Sequence, residues 1–265
     1  MTFFQTPELK LYYERAGQGP PLLLLHGLGS SSQDWLLQIP DFASHYALLI
    51  PDIRGHGRSD KPAGPYQVRQ FATDIHHLLN GLNVGPAHVL GISMGGMVAL
   101  QLALDAPQQV RSLILANTAA ELRPHHLRQR LQIWQRLLLS HLFSMRRIGT
   151  ILAGRFFPRP EQATIRAQFI ERWAQNDKRA YLSAMHALLG WSVAHCLSQI
   201  QCPALVLTAD QDYIPPIYRQ QLAAGLPHAQ WTTIHNSRHA SPADQPAQFN
   251  AAVLGFLAKM DIIER

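Results

Sequence analysis

Short runs of uninterrupted apolar residues alternate along this chain with longer stretches whose apolar positions recur every three or four residues. The runs are "PLLLLHG", "YALLIPD", "AHVLGIS", "RSLILANT", "PALVLTAD" and "AQWTTIH". A strand without polar alternation is buried on both faces, so these runs predict a parallel sheet with helices on either side. The longer stretches fit between them. "QVRQFATDIHHLLNGL" carries Val68, Phe71, Ile75, Leu78 and Leu79 near a helical period. "MGGMVALQLALDAP" is apolar all round, as a helix lying against a sheet should be, and Pro107 ends it. "PAQFNAAVLGFLAKM" predicts a C-terminal helix, and "LKLYYERAGQGPP" a strand and turn before the first parallel strand.

Between Glu121 and His195 the rhythm breaks. Helical patterns such as "HHLRQRLQIWQRLLLSHLF" and "EQATIRAQFIERWAQ" are interrupted by Pro124, Pro158 and Pro160, with no clear strand. The predicted architecture is an α/β fold with a mostly parallel, doubly wound sheet and a helical cap insertion. Residues 1–120 and 196–265 form the core and residues 121–195 the cap. Ligands in open α/β sheets bind beyond the carboxyl ends of the strands. A cap over that edge encloses a pocket and excludes water.

The corner in "HVLGISMGGM" carries the chemistry. Gly91-Ile92-Ser93-Met94-Gly95 is a G-x-S-x-G sequence lying between a predicted strand and a predicted helix. So sharp a corner strains the central residue, and the positions two before and two after it must lack bulk. The Ser93 hydroxyl then faces a helix N-terminus, where free N–H groups favour developing negative charge. A serine needs a base to take its proton. His239, in the loop after the last predicted strand, is better placed than His235, which falls within or at the end of that strand. "LVLTADQDYIPP" ends a strand with Asp210 and Asp212. Asp212, further into the loop, is the preferred partner for the imidazole, leaving Asp210 as a turn or capping residue. The expected oxyanion donors are the Met94 N–H and the Leu28 N–H, with His26-Gly27 shaping the loop. Trp35, Trp134, Phe143, Phe157 and Trp191 are candidate pocket walls.

Charge adds a second feature. The chain of 265 residues has a formal net charge of +6. The segment from Glu121 to His195 holds twelve Lys/Arg against four acids, or +8, so the rest is −2. Two readings of this stay open. The segment is a solvated helical face, or it attracts an acidic substrate or an acidic acyl-carrier protein. No nucleic-acid module accompanies the charge, so nucleic acid is not expected as a partner. Cys196 and Cys202 fit no metal spacing and suggest a reducing compartment. The His76-His77 and His125-His126 doublets read as surface positions, and neither a metal nor a cofactor is expected. The N-terminus lacks a signal-peptide pattern and the longest aliphatic run is "LLLL", so a soluble cytoplasmic protein without membrane insertion is expected.

Together "HGLG", "DIRGHGRSD", "GISMGG", "ADQDYIP" and "SRHASPADQP" resemble the α/β-hydrolase superfamily over nearly the whole core. Within it the chain looks like the small serine carboxylesterases and lactonases. "SLILANTAA" and "GISMGGM" are similar to 3-oxoadipate enol-lactonases, and the basic cap to esterases of pimeloyl-carrier-protein methyl esters. The resemblance implies a catalytic triad of Ser93, Asp212 and His239, an oxyanion hole at Leu28 and Met94, and hydrolysis of a carboxylic ester through an acyl-enzyme. The alternatives are a lactone or a carrier-linked ester or thioester as substrate, and, from another class, a non-catalytic ligand receptor. One departure is Arg238, where the family usually has glycine before the histidine.

Overall fold

The computed structural model describes residues 2–124 and 126–263, with the side chains of Arg128, Gln132 and Ile263 left out. His125 of the second histidine doublet lies outside the described residues. In chain order the elements are β1 (Thr2–Gln5), β2 (Lys10–Ala16), β3 (Pro21–Leu25), α1 (Ile39–Phe42), β4 (Ala47–Pro51) and α2 (Val68–Gly81). There follow β5 (Ala87–Ile92), α3 (Met94–Asp105), β6 (Val110–Ala116), α4 (Leu127–Leu142), α5 (Met145–Phe156), α6 (Ala163–Ala174) and α7 (Lys178–Leu188). The chain closes with β7 (Ala204–Ala209), α8 (Pro216–Gly225), β8 (Ala229–Ile234), α9 (Ser241–Asp244) and α10 (Pro246–Ile263).

The sheet is mostly parallel and doubly wound, as the apolar runs predict. Its eight strands have the order β1-β2-β4-β3-β5-β6-β7-β8. The pairings from β4 to β8 are parallel, and β1 and β2 add antiparallel partners at one end. The six apolar runs are β3 to β8. In the interior strands successive side chains enter opposite cores. Leu23, Leu25, Val89 and Leu113 face α2 and α3, while Leu22, Leu24, Leu90 and Ile114 face Phe42, Phe249 and Val253. That two-sided burial is why these strands show no polar alternation. The last run differs: β8 is an edge strand, and Gln230, Trp231 and Thr232 are exposed. α3 is buried along nearly its whole length, which explains its lack of a polar face.

Not every element was readable in the chain. β1, α1, α5, α7, α8 and α9 had no distinct pattern. The His76-His77 pair is half-buried rather than on the surface, with His76 Nδ1 2.8 Å from the Gln109 side chain. Among the described residues no helix is long and apolar enough to cross a membrane.

The four helices α4 to α7 leave the sheet after β6 and return before β7. Backbone pairing closes the base of this excursion: Glu121 bridges Ser192, and the Val193 N–H donates to the Ala120 carbonyl at 2.8 Å. Its basic residues are dispersed among local anchors. Arg146 pairs with Glu171, Arg159 with Asp244, and Lys178 reaches the His141 carbonyl. Arg172 and Asn176 donate to the Gln33 and Gly29 carbonyls at 2.9 and 2.7 Å, tying α6 to the loop after β3. Gly29 has φ +73°, and any Cβ there would strike the Trp173 ring.

Candidate active site

The loops after β3, β5, β7 and β8 meet at one edge of the sheet, at the carboxyl ends of their strands. β3 lies between β4 and β5, so the chain order reverses direction there, and a crevice opens at that point.

Ser93 occupies the corner between β5 and α3 with φ 54° and ψ −117°. L-residues rarely adopt this conformation, which costs of order 1–3 kcal/mol. Neighbours hold it: the Ser93 N–H donates to the Ala116 carbonyl at 3.0 Å, and its own carbonyl accepts from Thr118 Oγ1 at 2.7 Å. The glycine spacing has the steric reason expected. A Cβ on Gly91 would collide with the Gly95 carbonyl, and one on Gly95 with the Leu25 carbonyl.

His239 and Asp212 come together. The His239 Nδ1–H donates to Asp212 Oδ1 at 2.8 Å, with both side chains almost fully buried. The Ile214 N–H donates to the same oxygen at 3.3 Å. Asp210 is turned away and accepts from the Asn236 and Ser237 N–H groups at 2.9 and 3.0 Å. Burial alone would raise its pKa, but these N–H donors outweigh that and lower it. His235 is exposed and 3.8 Å from Asp210, away from the crevice.

With Nδ1 turned to Asp212, the His239 ring presents Nε2 on its other side. Tyr213 fills that position, its hydroxyl 3.2 Å from Nε2 and its ring 4.4 Å from the imidazole centroid to centroid. Among the described residues Ser93 makes no hydrogen bond to His239, although both line the same narrow pocket of about 60 Å³. Neither the Leu28 nor the Met94 N–H donates to another described group. Leu28 also lines that pocket, and a Cβ at Gly27 would lie 3.6 Å from Ser93 Cβ.

The loop carrying Leu28 is fixed from below. His26 is fully buried; its Nε2 accepts from the Ile53 N–H at 2.9 Å and its Nδ1 lies 2.8 Å from the Gly27 carbonyl. Burial lowers its pKa to about 4, so the ring is neutral and shapes the loop. Asp52 accepts from Ser32 N–H and Arg58 N–H at 2.6 and 2.7 Å, joining this loop to "DIRGHGRSD".

The pocket walls differ from those expected. Trp35 and Phe157 are buried in cores, Trp134 is 71% exposed, and Trp191 donates to Gln101 at 3.1 Å. Phe143 packs beside the Met145–Trp173 cluster. None of these five lines the pocket; Leu152, Phe156, Phe169 and Trp173 do. No distinct pattern marked α5, and which face of an inserted helix turns inward is set by its packing.

Three polar residues escaped the sequence reading. Asn117, at the end of β6, donates to the His239 carbonyl and accepts from the Ala209 N–H. Asp34 lines the pocket, and burial pushes its pKa up to about 6 despite the Ser30 hydroxyl and Arg172. Arg136 reaches the pocket from α4, beside Tyr213 and Tyr181. Arg238 does not enter the pocket lining; its N–H is held by Asp244 at 2.8 Å and its guanidinium reaches the Arg155 carbonyl at 3.4 Å.

A strained serine at a strand-to-helix corner, above the reversal point of a doubly wound sheet, is the arrangement of α/β hydrolases. Comparisons with known proteins agree. The family model for the alpha/beta hydrolase fold matches residues 20–148. The chain is 32% identical to 3-oxoadipate enol-lactonase 2 of Acinetobacter baylyi, over 93% of this chain and 92% of that one. It is 30% identical to the (E)-2-((N-methylformamido)methylene)succinate hydrolase of the same organism, over 93% of each. A hydrolase from Pseudomonas aeruginosa superposes with a TM-score of 0.88 at 29% identity, covering 97% of both chains. The chain belongs to the α/β-hydrolase family and is a hydrolase.

Proposed function

We propose that this protein is a serine hydrolase that cleaves a carboxylic ester through an acyl-enzyme. The observation that carries the reading is the buried Asp212–His239 pair at 2.8 Å, sharing one pocket with the strained Ser93. The imidazole turns from the Tyr213 hydroxyl to Ser93 and takes its proton. Ser93 attacks the carbonyl, and the oxyanion is received by the Leu28 and Met94 N–H groups. His239 returns the proton to the leaving alcohol, and water repeats the sequence on the acyl-enzyme. Asp212 fixes the tautomer and stabilises the imidazolium. Apo enzymes often show this hydrogen bond long or unmade, so the Tyr213 contact describes a resting state.

Residues 121–195 act as the cap, an assignment supported by the backbone pairing at Glu121 and Ser192. A lactone is the second reading, favoured by the enol-lactonase relative. An acidic carrier protein as partner, and a cytoplasmic location, remain part of the proposal. The unpaired Cys196 and Cys202 fit a reducing compartment.

The test is a panel of esters, thioesters and lactones of graded length, run on the wild type and on Ser93→Ala. Turnover that disappears in Ser93→Ala, with a phosphonate adduct at Ser93 by mass spectrometry, is the expected result. Binding without turnover would instead make the protein a ligand receptor.

A further inference from the structure

α4 has an inner face that is packed and an outer face that is not. Inside, Leu137 packs against the Met145–Trp173 cluster, and the Ser140 hydroxyl lies 3.7 Å from the Met185 sulfur. Outside, Leu127, Leu131, Trp134, Leu138 and Leu142 are each more than half exposed. Their spacing keeps them within about 80° of arc and runs the stripe along about 22 Å of helix. Ile217 of α8, also more than half exposed, shares a cleft with His126 and Gln129 at the start of α4 and widens the patch. A contiguous exposed patch of large apolar side chains marks a binding surface.

The chain around the stripe is basic throughout. Between Glu121 and Glu161 it holds eight arginines and no lysine, aspartate or glutamate. The helical period places positions 128 and 130, both arginine, on the two flanks of the stripe. Arg130 and, in the next helix, Arg147 are exposed. Arg146 and Arg159 meet Glu171 and Asp244, which leaves the segment a large positive excess. A second copy of the chain on this face would set two such segments together, like charge against like. A protein partner anchors through side chains seated in pockets, whereas the stripe is the convex side of one helix. A layer of anionic headgroups over acyl chains suits both features. Leucines and a tryptophan enter the layer, and the flanking arginines keep their charge among the headgroups.

We propose that α4 docks the protein on an anionic lipid surface, lying in the plane of the interface with its Leu/Trp stripe sunk among the headgroups. The inner face of α4 keeps its packing, so docking asks for no rearrangement of the fold. The contact is peripheral and needs no membrane-spanning helix. Two forces hold it: burial of the stripe, which salt does not weaken, and attraction between arginines and headgroups, which salt screens. The inference goes beyond the hydrolase reading and does not rest on it, because it concerns the outer face of α4 and not the pocket that holds Ser93.

The experiment sediments the 265-residue chain with vesicles of phosphatidylcholine alone and of phosphatidylcholine mixed equally with phosphatidylglycerol. The wild type should partition onto the anionic vesicles at least about tenfold better, and about 0.5 M salt should remove most of that preference. Arg130→Gln should weaken anionic binding about fivefold, the scale of one basic residue at such a surface. Leu131→Gln with Trp134→Gln should weaken it by about tenfold or more, the scale of burying large apolar side chains. Thermal unfolding of each variant checks that the fold is kept, and the salt dependence of the wild type needs no variant. Equal binding to both vesicle types, binding unchanged in the double variant, or no binding at low salt overturns the proposal. Self-association that depends on Trp134, seen by sedimentation equilibrium without vesicle binding, overturns it in favour of a second copy. Retention on immobilised polyglutamate that depends on Trp134, again without vesicle binding, overturns it in favour of an acidic protein.

Discussion

Asn117 holds His239 by its backbone: Asn117 Nδ2 donates to the His239 carbonyl at 2.8 Å. The same side chain donates to Ser241 Oγ at 3.0 Å and accepts from the Ala209 N–H at 2.7 Å. One buried amide thus links the ends of β6 and β7 to the loop after β8. Asn117→Ala leaves buried partners unsatisfied, at a cost of about 1–3 kcal/mol. Because the residue positions the imidazole without touching substrate, kcat should fall roughly tenfold while KM changes little. An unchanged kcat would remove Asn117 from the positioning role.

Ser93 carries strain that a glycine would not, since glycine tolerates positive φ. Ser93→Gly should abolish turnover yet raise stability by about 1 kcal/mol, equivalent to a few degrees in thermal unfolding. Asp212→Asn should also lose activity, by about 10⁴-fold in kcat, but without a stability gain. A Ser93→Gly protein less stable than the wild type would show that the corner is relaxed.

Asp34 makes the fold sensitive to pH in an unusual direction. Its folded pKa is raised to about 6 from 3.8, chiefly by burial. The folded state therefore holds its proton where the unfolded state has released it, and stability declines as pH rises from about 4 to about 6. Asp34→Asn should remove this decline. The gain should be roughly 3 kcal/mol at pH 7.5 and close to nothing at pH 4, read from denaturant midpoints at both values. His26 acts in the opposite sense. Its folded pKa is lowered to about 4 from 6.5, so its contribution is present above pH 6.5 and is lost as pH falls through about 4.

Asp244 joins the inserted helices to the His239 loop. Its carboxylate, 1% exposed, accepts from Arg159 at 2.6 Å, from Gln162, and from the Arg238 N–H at 2.8 Å. Asp244→Ala removes the shared acceptor of Arg159, Gln162 and the Arg238 N–H; because Arg159 is partly exposed and keeps the Asn236 carbonyl, the loss should be about 1–3 kcal/mol. Arg159→Met should cost less, because it leaves the carboxylate two of its three donors. Equal losses in the two variants would show that the ion pair alone matters. This junction also accounts for Arg238: its backbone N–H is what the loop uses, so the side chain is free to differ from the usual glycine.

The readable parts of the site share a local cause. Gly91, Ser93 and Gly95 were identifiable because a strand-to-helix corner needs that spacing whatever surrounds it. Asp212 and His239 were identifiable because each follows a strand whose apolar run marks its end. Arg136 gave no such signal. It is one arginine among many in a basic helix, and only the orientation of α4 separates it from Arg130. Phe156 and Trp173 were missed for the same reason, while Trp35, equally aromatic, fell to the core against Phe249.

The chain's own pattern determined the parallel sheet, the order of its strands along the sequence and the positions where the candidate site side chains emerge. Burial on both faces demands continuous apolar runs, and tight corners demand glycine, so both are written locally. Tertiary structure alone decided which nitrogen of His239 meets which partner, and which residues of the inserted helices turn toward Ser93. Those contacts join residues separated by dozens of positions, and they depend on helix rotation and loop packing, which no local periodicity encodes.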